Sequence, residues 1–380
     1  MVVVFLTHNY PRHTGDLPGA FLQPLAHALS NRGHDVRVVA PADRGGAGRE
    51  LLEGIPVRRV RYAAPARETL AYSGRMQEAI RSPAGLFALL RMVRALAAGA
   101  RAEAAGAADP VVHAHWWIPA GLALPAGLAS LVTLHGTDGR ILARSGLARR
   151  LGARVLRRAG VVTAVSPELA AIAERVSNRG DVARHVQPMP VDGPDRPWSS
   201  GGAGALVIAR LVPQKRVELA IRALDQLARQ GAALPLTIVG EGPERGALER
   251  LAARLPQAAP VRFTGTLPPA GVVECLAAAD LLLFPAREEG LGLAALEALM
   301  SGVPVIACND GGGVVSALRK YGGGLMVPPD PAALAVAVRE AAGAPLHAAA
   351  RDAGARWRAE LAPPRVAEVF EGWYREALDA

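Results

Sequence analysis

Two glutamates eight positions apart, Glu289 and Glu297, flank a glycine-containing turn. The glycines at 290 and 292 allow close backbone approach, and the apolar residues after them predict a helix start whose N–H groups suit a phosphate. The two carboxylates are acceptors suited to hydroxyl groups. Phosphate together with many hydroxyls describes a nucleotide sugar, so we expect this stretch to bind one.

Two further candidate groups follow other apolar strands of the second half. Arg210 and Lys215 lie five positions apart after Ala205–Ala209. They could clamp a diphosphate, or they could belong to a solvated loop. Gly242 lies in a glycine-rich turn after Leu236–Val239, where the glycines either contact a nucleotide or only serve the turn.

The first half offers histidines at two strand ends. His135 could hydrogen-bond a ligand or be structural. His113 and His115 share one strand face by the period of two, which could suit a metal. No third ligand is evident in the sequence, so we expect no metal site. Gly19 offers another glycine at a predicted helix start, with Gly15 as an alternative.

Apolar, β-branched runs alternate with helical patterns along the whole chain. Such runs predict parallel strands, and the helices between them predict layers on both sheet faces, which is an α/β fold. The predicted strands are Val2–Thr7, Val36–Ala40, Val57–Tyr62, Val111–His115, Leu131–His135, Val161–Val165, Ala205–Ala209, Leu236–Val239, Val261–Gly265, Leu281–Pro285, Val303–Cys308 and Leu325–Val327. The helices predicted between strands include Phe21–Asn31 and Pro167–Arg175.

The length of 380 residues predicts two domains. A segment rich in proline and glycine, 187–202, suits a linker between them. We therefore expect one domain over 1–190 and another over 203–363. The last helix, 364–380, is amphipathic through Val366, Val369, Phe370, Trp373 and Leu378 and must pack on another element.

Charge is distributed unevenly. Residues 1–195 hold 24 basic and 15 acidic residues and carry the whole net charge of +9, with arginine as the only basic type. Codon usage could explain this, or the half could meet an anionic partner. The segment Arg75–Arg101 reads as a helix with arginines on one side, either facing a core or docking on an anionic membrane.

Other features bear on the compartment. The start of the chain lacks a basic segment before its apolar run, so we expect no signal peptide. Val111–His135 is long enough to span a bilayer, but Pro119 and Pro125 favour a strand, a loop, a helix and a second strand. Cys275 and Cys308 read as thiols in a reducing compartment. We expect a cytoplasmic protein, with a place at the inner face of the membrane if the arginines contact lipid.

Together these motifs resemble the retaining nucleotide-sugar glycosyltransferases of family 4, also described as glycosyl transferases group 1, which have the GT-B fold. The resemblance covers nearly the whole chain. Its most specific part is Glu289–Glu297 followed by Ala298–Ile306. It implies two Rossmann-like domains with parallel sheets facing each other across a cleft. It also implies a last helix that returns to the first domain.

The resemblance also implies residue roles. Glu297 matches the carboxylate that binds the ribose, and Glu289 matches the carboxylate beside the transferred sugar. His135 would face that sugar from the first domain. Glu289 and His135 are therefore the residues that the resemblance implies at the reacting sugar. Gly19, Arg210, Lys215 and Gly242 would contact the phosphates or the nucleotide. Backbone groups would donate to sugar and phosphate from Gly290, Leu291, Gly292 and Leu293.

The implied reaction moves a hexose-type sugar from a nucleotide-diphosphate sugar to a hydroxyl acceptor. The resemblance implies that this reaction requires neither a cofactor nor a metal ion. We expect a lipid-linked or cell-envelope polysaccharide acceptor, a contact between the N-terminal domain and an anionic membrane, and no nucleic-acid partner. A soluble small-molecule acceptor, a non-catalytic sugar-nucleotide binder and a sugar-nucleotide epimerase are the alternatives.

Three departures from the family pattern stand out. Pro188–Asp192 replaces an Asn-Gly element, and Leu291 replaces a frequent phenylalanine. Gly311-Gly312-Gly313-Val314-Val315 lacks a carboxylate that the family usually has there. The two glutamates and the two cations match.

Overall fold

A computed structural model describes residues 1–44, 46–72, 76–191, 193, 202–254, 260–341 and 344–380, without the side chains at 77 and 344. The chain forms two compact units, Met1–Val191 with Leu361–Ala380, and Asp192–Glu360. Of the predicted linker 187–202, residues 192 and 194–201 lie outside the described residues. Arg75, the first residue of the predicted arginine-bearing helix, also lies outside them.

The first unit contains a seven-stranded sheet in the order β3-β4-β2-β1-β5-β6-β7. Its strands are β1 Val2–Leu6, β2 Asp35–Pro41, β3 Gly48–Leu52, β4 Ile55–Val60, β5 Pro110–His115, β6 Ala129–Leu134 and β7 Val161–Ala164. Strand β1 is fully buried from Val3 to Leu6 and pairs in parallel with β2 and β5. Continuous apolar strands of this kind are covered on both faces, as predicted.

Strand β3 corrects the expectation of wholly parallel sheets. It pairs antiparallel with β4 at the edge of the sheet. The two strands are joined at Glu53 and Gly54, both with positive φ, a turn that suits a tight hairpin. Arg49 and Glu50 interrupt the apolar pattern, and Leu51 is 72% exposed. A polar edge strand lacks the apolar run from which the other strands were predicted.

Helices connect the strands of the first unit. They are α1 Gln23–Asn31, α2 Met76–Ala79, α3 Pro83–Ala104, α4 Thr137–Arg144, α5 Gly146–Arg158 and α6 Pro167–Ser177. The predicted helix from Phe21 starts later, because Ala20–Leu22 forms a 3-10 turn before α1. The apolar stretch that could have spanned a membrane forms β5, the 3-10 turn Gly121–Ala123 and β6, so a short turn stands where a helix was predicted.

Helix α3 has two kinds of apolar residue. Leu89, Met92 and Leu96 are buried, whereas Leu86 and Phe87 are 50% and 60% exposed. By length and composition, α3 is the one helix in the described part of the chain that could cross a membrane. It nevertheless packs on strands β1, β2, β4 and β5, so its inner face belongs to the core.

The second unit is built on a six-stranded parallel sheet in the order β10-β9-β8-β11-β12-β13. The strands are β8 Ala205–Ile208, β9 Leu236–Val239, β10 Val261–Gly265, β11 Leu281–Phe284, β12 Val305–Cys308 and β13 Gly324–Val327. The helices are α7 Val217–Arg229, α8 Arg245–Ala252, α9 Pro269–Ala278, α10 Leu293–Met300, α11 Gly313–Tyr321, α12 Pro331–Ala341 and α13 Ala344–Leu361. Cys275 is half-buried and Cys308 is buried, both as free thiols.

The last helix, α14 Pro363–Asp379, belongs to the first unit. It packs on α1 and on strands β5, β6 and β7. Its buried face includes Val366, Phe370 and Tyr374, whereas the predicted face residue Leu378 is 36% exposed. An ion pair of 2.6 Å between Arg32 Nη2 and Glu371 Oε2 joins the end of α1 to α14. Residues far apart in sequence thus complete one core.

Candidate active site

Three neighbouring parallel strands place the predicted donor residues at one edge of the second sheet. Strand β8 lies between β9 and β11, and β12 follows β11. The chain order therefore changes direction at β8, the position where open α/β sheets bind ligands beyond the carboxyl ends of the strands. Arg210 and Lys215 follow β8, Gly242 follows β9, and Glu289 follows β11. The fold thus gathers these residues at a common edge.

Lys215 and Glu289 form the central contact of this edge. Lys215 ends the 3-10 turn Pro213–Lys215, and its Nζ lies 2.5 Å from Glu289 Oε2. The amide Nε2 of Gln214 lies 3.4 Å from the same oxygen. The resemblance assigned Lys215 to the diphosphate and Glu289 to the sugar. In this structure the two side chains neutralise each other, so any ligand that recruits either one competes with this ion pair.

The backbone of Glu289 is fixed by the loop after β12. Its N–H donates to the Gly311 carbonyl at 3.0 Å, and its own carbonyl accepts from Gly313 N at 3.0 Å. A Cβ added at Gly312, which has a φ of 78°, would lie 2.2 Å from the Glu289 carbonyl oxygen. Glycine at position 312 therefore allows this close backbone approach.

A glycine-rich turn leads from Glu289 into α10. Gly292 caps the helix with a φ of 77°, in the left-handed region that favours glycine. A Cβ added there would lie 2.9 Å from the Phe284 ring. Gly290 also has a tightly packed backbone, while Leu291 is buried and Leu293 is half-buried. The first N–H groups of α10 lack partners within the helix and remain suited to an anion.

Glu297 lies on α10, within the helix that begins after this turn. Desolvation by burial raises the pKa of its carboxyl from 4.5 to about 7. Among the described residues, no side chain or backbone group hydrogen-bonds or ion-pairs with this carboxyl. The residue is half-buried, and a desolvated acid without a protein partner is costly to ionise and is a candidate for ligand binding.

The loops that carry Arg210 and Gly242, after β8 and β9, touch through Leu211. A Cβ at Gly242 would lie 2.3 Å from the Leu211 carbonyl oxygen, so only glycine allows this approach. Leu211 N–H donates to the Glu241 carbonyl at 2.8 Å and fixes the two loops together. The side chain of Arg210 is exposed. It can therefore meet an anion from solvent.

His135 lies at the end of β6 in the first unit, inside an aromatic and histidine cluster. Its Nε2 lies 3.1 Å from His115 Nδ1. Trp116 and Phe21 pack on the ring with centroid distances of 4.6 Å and 5.3 Å. Burial lowers the pKa of His135 to about 3. The ring is therefore neutral at ordinary pH and acts as a hydrogen-bonding group.

Two further histidines of this cluster, His113 and His115, come from strand β5. His113 is fully buried, with Nδ1 at 2.9 Å from Tyr374 Oη and Nε2 at 2.7 Å from Thr133 Oγ1. Its ring packs on His115 with a centroid distance of 3.9 Å. No group of three potential metal ligands exists among the residues that the structure describes. The hydrogen bonds explain His113 as a structural residue.

Gly19 lies in the first unit, two residues before Phe21 of the same cluster. It has a φ of 79°, and a Cβ there would lie 2.2 Å from the Asn9 carbonyl oxygen. Gly15 has a similar φ of 82° but nothing within 4 Å of such a Cβ. The close approach therefore requires glycine at 19, and the contact of either residue with a phosphate stays a prediction.

Sequence reasoning missed three residues beside the Lys215–Glu289 pair: Gln214, Arg216 and Asp310. Gln214 Nε2 donates to the Arg287 carbonyl at 3.1 Å, and Arg216 forms an ion pair with Asp310. The only sequence signal for this pair was a second cation, Arg216, directly after Lys215. Its partner comes from a different loop, so the sequence alone does not reveal the pair.

Two family models account for most of the chain. The model described as "Glycosyl transferase 4-like domain" matches residues 18–190. The model described as "Glycosyl transferases group 1" matches residues 196–356. The two matches fall in the first and second parts of the chain. The second contains the loops with Arg210, Lys215, Gly242 and Glu289 at the carboxyl ends of β8, β9 and β11, which we call the donor edge after the role predicted for these residues.

Curated relatives match part of their length. A GDP-mannose-dependent alpha-(1-6)-phosphatidylinositol monomannoside mannosyltransferase of Mycolicibacterium smegmatis is 35% identical over 186 residues, 46% of this chain and 48% of the relative. A D-inositol 3-phosphate glycosyltransferase of Nocardia farcinica is 39% identical over 128 residues, 32% of this chain and 28% of the relative. The matches thus span about half or less of these relatives.

Solved structures match the whole chain in fold. Sucrose-phosphate synthase from Thermosynechococcus elongatus superposes with a TM-score of 0.79 at 21% identity, covering 98% of both chains. Anabaena Alr3699/HepE in complex with UDP gives a TM-score of 0.71 at 18% identity, covering 98% of this chain and 99% of that one. The α/β units with parallel sheets, the matched family models and these folds lead to one assignment: the chain belongs to the family 4, group 1 glycosyltransferases of the GT-B fold.

Proposed function

We propose that this protein is a retaining glycosyltransferase that moves a hexose-type sugar from a nucleotide-diphosphate sugar to a hydroxyl acceptor. The observation that supports it best is the edge of the second sheet, where the Lys215–Glu289 pair lies beside the glycine turn that begins α10, the helix that carries the half-buried Glu297. Anion and hydroxyl partners are offered together there, which is what a nucleotide sugar requires.

The proposed reaction uses the donor's own phosphate as the base. The acceptor oxygen attacks the anomeric carbon on the face that the diphosphate leaves, and the bond from carbon to phosphate oxygen breaks. The departing phosphate oxygen takes the acceptor's proton, giving the glycoside and a nucleoside diphosphate. Arg210, Lys215 and the start of α10 would stabilise the charge that develops on the diphosphate, so no metal is required.

The anomeric configuration of the product tests the retaining mechanism. A donor with an α-linked sugar should give an α-linked product, which NMR coupling at the anomeric centre identifies. An inverted product would contradict same-face attack. Full activity in the presence of EDTA supports metal independence, whereas activity that requires an added divalent cation would contradict it.

We propose a lipid-linked or cell-envelope polysaccharide intermediate as acceptor. The mannosyltransferase relative is named for a phosphatidylinositol monomannoside, and the chain is similar to it over about half its length. A soluble acceptor remains the second candidate, favoured by similarity to the D-inositol 3-phosphate glycosyltransferase. Transfer assays with lipid-linked and soluble hydroxyl acceptors separate the two. Nucleotide binding without any transfer would instead indicate a non-catalytic binder, and donor isomerisation without an acceptor would indicate an epimerase.

A membrane-facing surface in the first unit supports the lipid-linked acceptor. Helix α3 exposes Leu86, Phe87 and Leu90, with Arg91 and Arg94 exposed on the same helix. The neighbouring helix α5 carries five exposed arginines and no acidic residue. Both helices contact the 3-10 turn between β5 and β6. Apolar anchors beside cations suit the inner face of an anionic membrane.

Vesicle flotation tests this surface. The protein should float with vesicles of phosphatidylglycerol at low salt and less at high salt, because exposed charges are screened. Serine at 86, 87 and 90 together should abolish flotation, while the control Val336→Ser, which changes an apolar residue that is 54% exposed on α12, should not. Absence of binding by the wild-type protein would favour the soluble acceptor and a cytoplasmic protein free of the membrane.

A further inference from the structure

Arg216 adopts an unusual backbone conformation at the donor edge. Its φ is 47° and its ψ is 41°, in the left-handed region that residues with a Cβ rarely occupy. It directly follows Lys215 and caps the start of α7. Strained residues of this kind persist where the surroundings hold them, and they cluster at functional sites.

The side chain of Arg216 connects three loops. Its Nε donates to the Pro285 carbonyl at 2.8 Å, in the loop after β11. Nη1 and Nη2 donate to the two oxygens of Asp310 at 2.9 Å and 2.5 Å, in the loop after β12. The side chain is 14% exposed, so this bidentate pair is partly shielded from solvent. The strained backbone thus directs a side chain that joins both neighbouring loops to its own.

The same loops fix Glu289. Glu288 N–H donates to the carbonyl of Asp310 at 2.7 Å, next to the bond from Glu289 N–H to Gly311. Arg287 N–H donates to the Gln214 carbonyl at 3.1 Å. The Arg216–Asp310 pair therefore holds the loop whose backbone hydrogen-bonds to Glu288 and Glu289. These backbone bonds place the Glu289 carboxylate against Lys215.

We propose that Arg216 is a positioning residue that, through Asp310 and the Pro285 carbonyl, holds Glu289 where it recognises the transferred sugar. This inference rests on the proposed function. Arg216 itself need not touch the donor. Loosening it should reduce recognition of the sugar more than recognition of the nucleotide, since Glu297 and the start of α10 lie outside its contacts.

The variants Arg216→Gly and Asp310→Asn test this role. Glycine removes the side chain and suits the left-handed backbone, and thermal unfolding of each variant checks that its global stability is retained. Arg216→Lys keeps the charge but not the bidentate fork, and should fail to restore function. The control is Arg229→Ala, which removes an exposed arginine–aspartate pair on α7 of the same unit.

Calorimetry with UDP, UDP-glucose, GDP and GDP-mannose provides the first readout, using the nucleotide that wild type prefers. The gain in affinity from adding the sugar should fall about tenfold in both variants, and affinity for the diphosphate alone should change less than about threefold. The double variant should lose no more than either single one, because the residues act as a pair. The proposal would be overturned if the variants lost affinity equally for the nucleotide and the nucleotide sugar. It would also be overturned if the sugar increased affinity as much in the variants as in wild type.

Amide hydrogen exchange provides a readout independent of the proposed function. Peptides covering 287–290 should exchange about tenfold faster in Arg216→Gly and Asp310→Asn than in wild type or Arg229→Ala. Unchanged protection would overturn the positioning role even if transfer is confirmed. If wild type binds no nucleotide at all, the proposed function fails, and faster exchange still establishes that Arg216 holds the loop.

Discussion

At the scale of single residues, Glu297 combines a half-buried position with a carboxyl that has no hydrogen-bond partner among the described residues. Its folded-state pKa of about 7 lies above the ordinary 4.5 because burial disfavours the charged form. At pH values below both pKa values, the carboxyl is protonated in the folded and in the unfolded state. As the pH rises from about 4.5 to about 7, the unfolded chain releases that proton first, so folding stability is progressively lost over this window.

Replacing the carboxyl with a neutral amide should remove this pH dependence. Glu297→Gln should raise the thermal unfolding temperature relative to wild type at about pH 8 and much less at about pH 5, with about 1.4 kcal/mol for each unit of pKa shift. Thermal unfolding at both pH values measures the difference. An offset that is the same at both would contradict a raised pKa.

His135 should act without changing its charge. Since burial lowers its pKa to about 3, the ring is neutral between about pH 5 and about pH 9. His135→Asn should lower turnover by about tenfold or more through the lost ring hydrogen bond, while the shape of the pH–rate profile in this range stays as in wild type. Loss of an acidic limb in the variant would show that His135 titrates during catalysis.

The sequence predicts residue types better than residue contacts. The carboxylates and cations of the donor edge follow from their place after apolar strands. The pairing of Lys215 with Glu289, and of Arg216 with Asp310, does not follow, because each joins loops about seventy or more residues apart. The pattern around Arg216 predicts a solvated or phosphate-binding loop and gives no sign of its left-handed backbone.

At the scale of elements, glycine determines how closely the loops approach. Gly242→Ala should lower the free energy of unfolding by about 2 kcal/mol or more and weaken nucleotide binding, because its Cβ would meet the Leu211 backbone. Gly246→Ala is the matched control in the following helix, where the nearest atom is an arginine terminus at 3.5 Å. Denaturant unfolding of both variants measures the effect. Equal stability would contradict the close approach.

Elements with continuous apolar runs were predictable, and amphipathic ones less so. Strands β9 and β10 match their predicted bounds, because their β-branched residues lie between turn signals. Strand β3 was missed, since its stability comes from pairing with β4 rather than from an apolar face. The segment Arg75–Arg101 was predicted as one helix, but the structure divides it into α2 and α3. Which leucines of α3 face the core depends on the strands beneath it.

At the scale of the whole molecule, α14 completes the first unit from the far end of the chain. Phe370→Ala should lower the free energy of unfolding by about 3–5 kcal/mol, because a fully buried ring is removed from the contact with the first sheet. The control Leu378→Ala changes a residue on the same helix that is 36% exposed and should have little effect. Similar stability of the two variants would contradict this packing.

The central claim is that the carboxyl edge of the second sheet binds the nucleotide-sugar donor, with Glu297 on the ribose. Calorimetric titration of UDP-glucose and GDP-mannose into wild type and Glu297→Ala tests it most directly. Hydrogen bonds to a charged group contribute about 1.5–3 kcal/mol, so we predict binding by wild type and a loss of roughly ten- to a hundred-fold in the variant. Equal affinity in the two proteins would contradict the account.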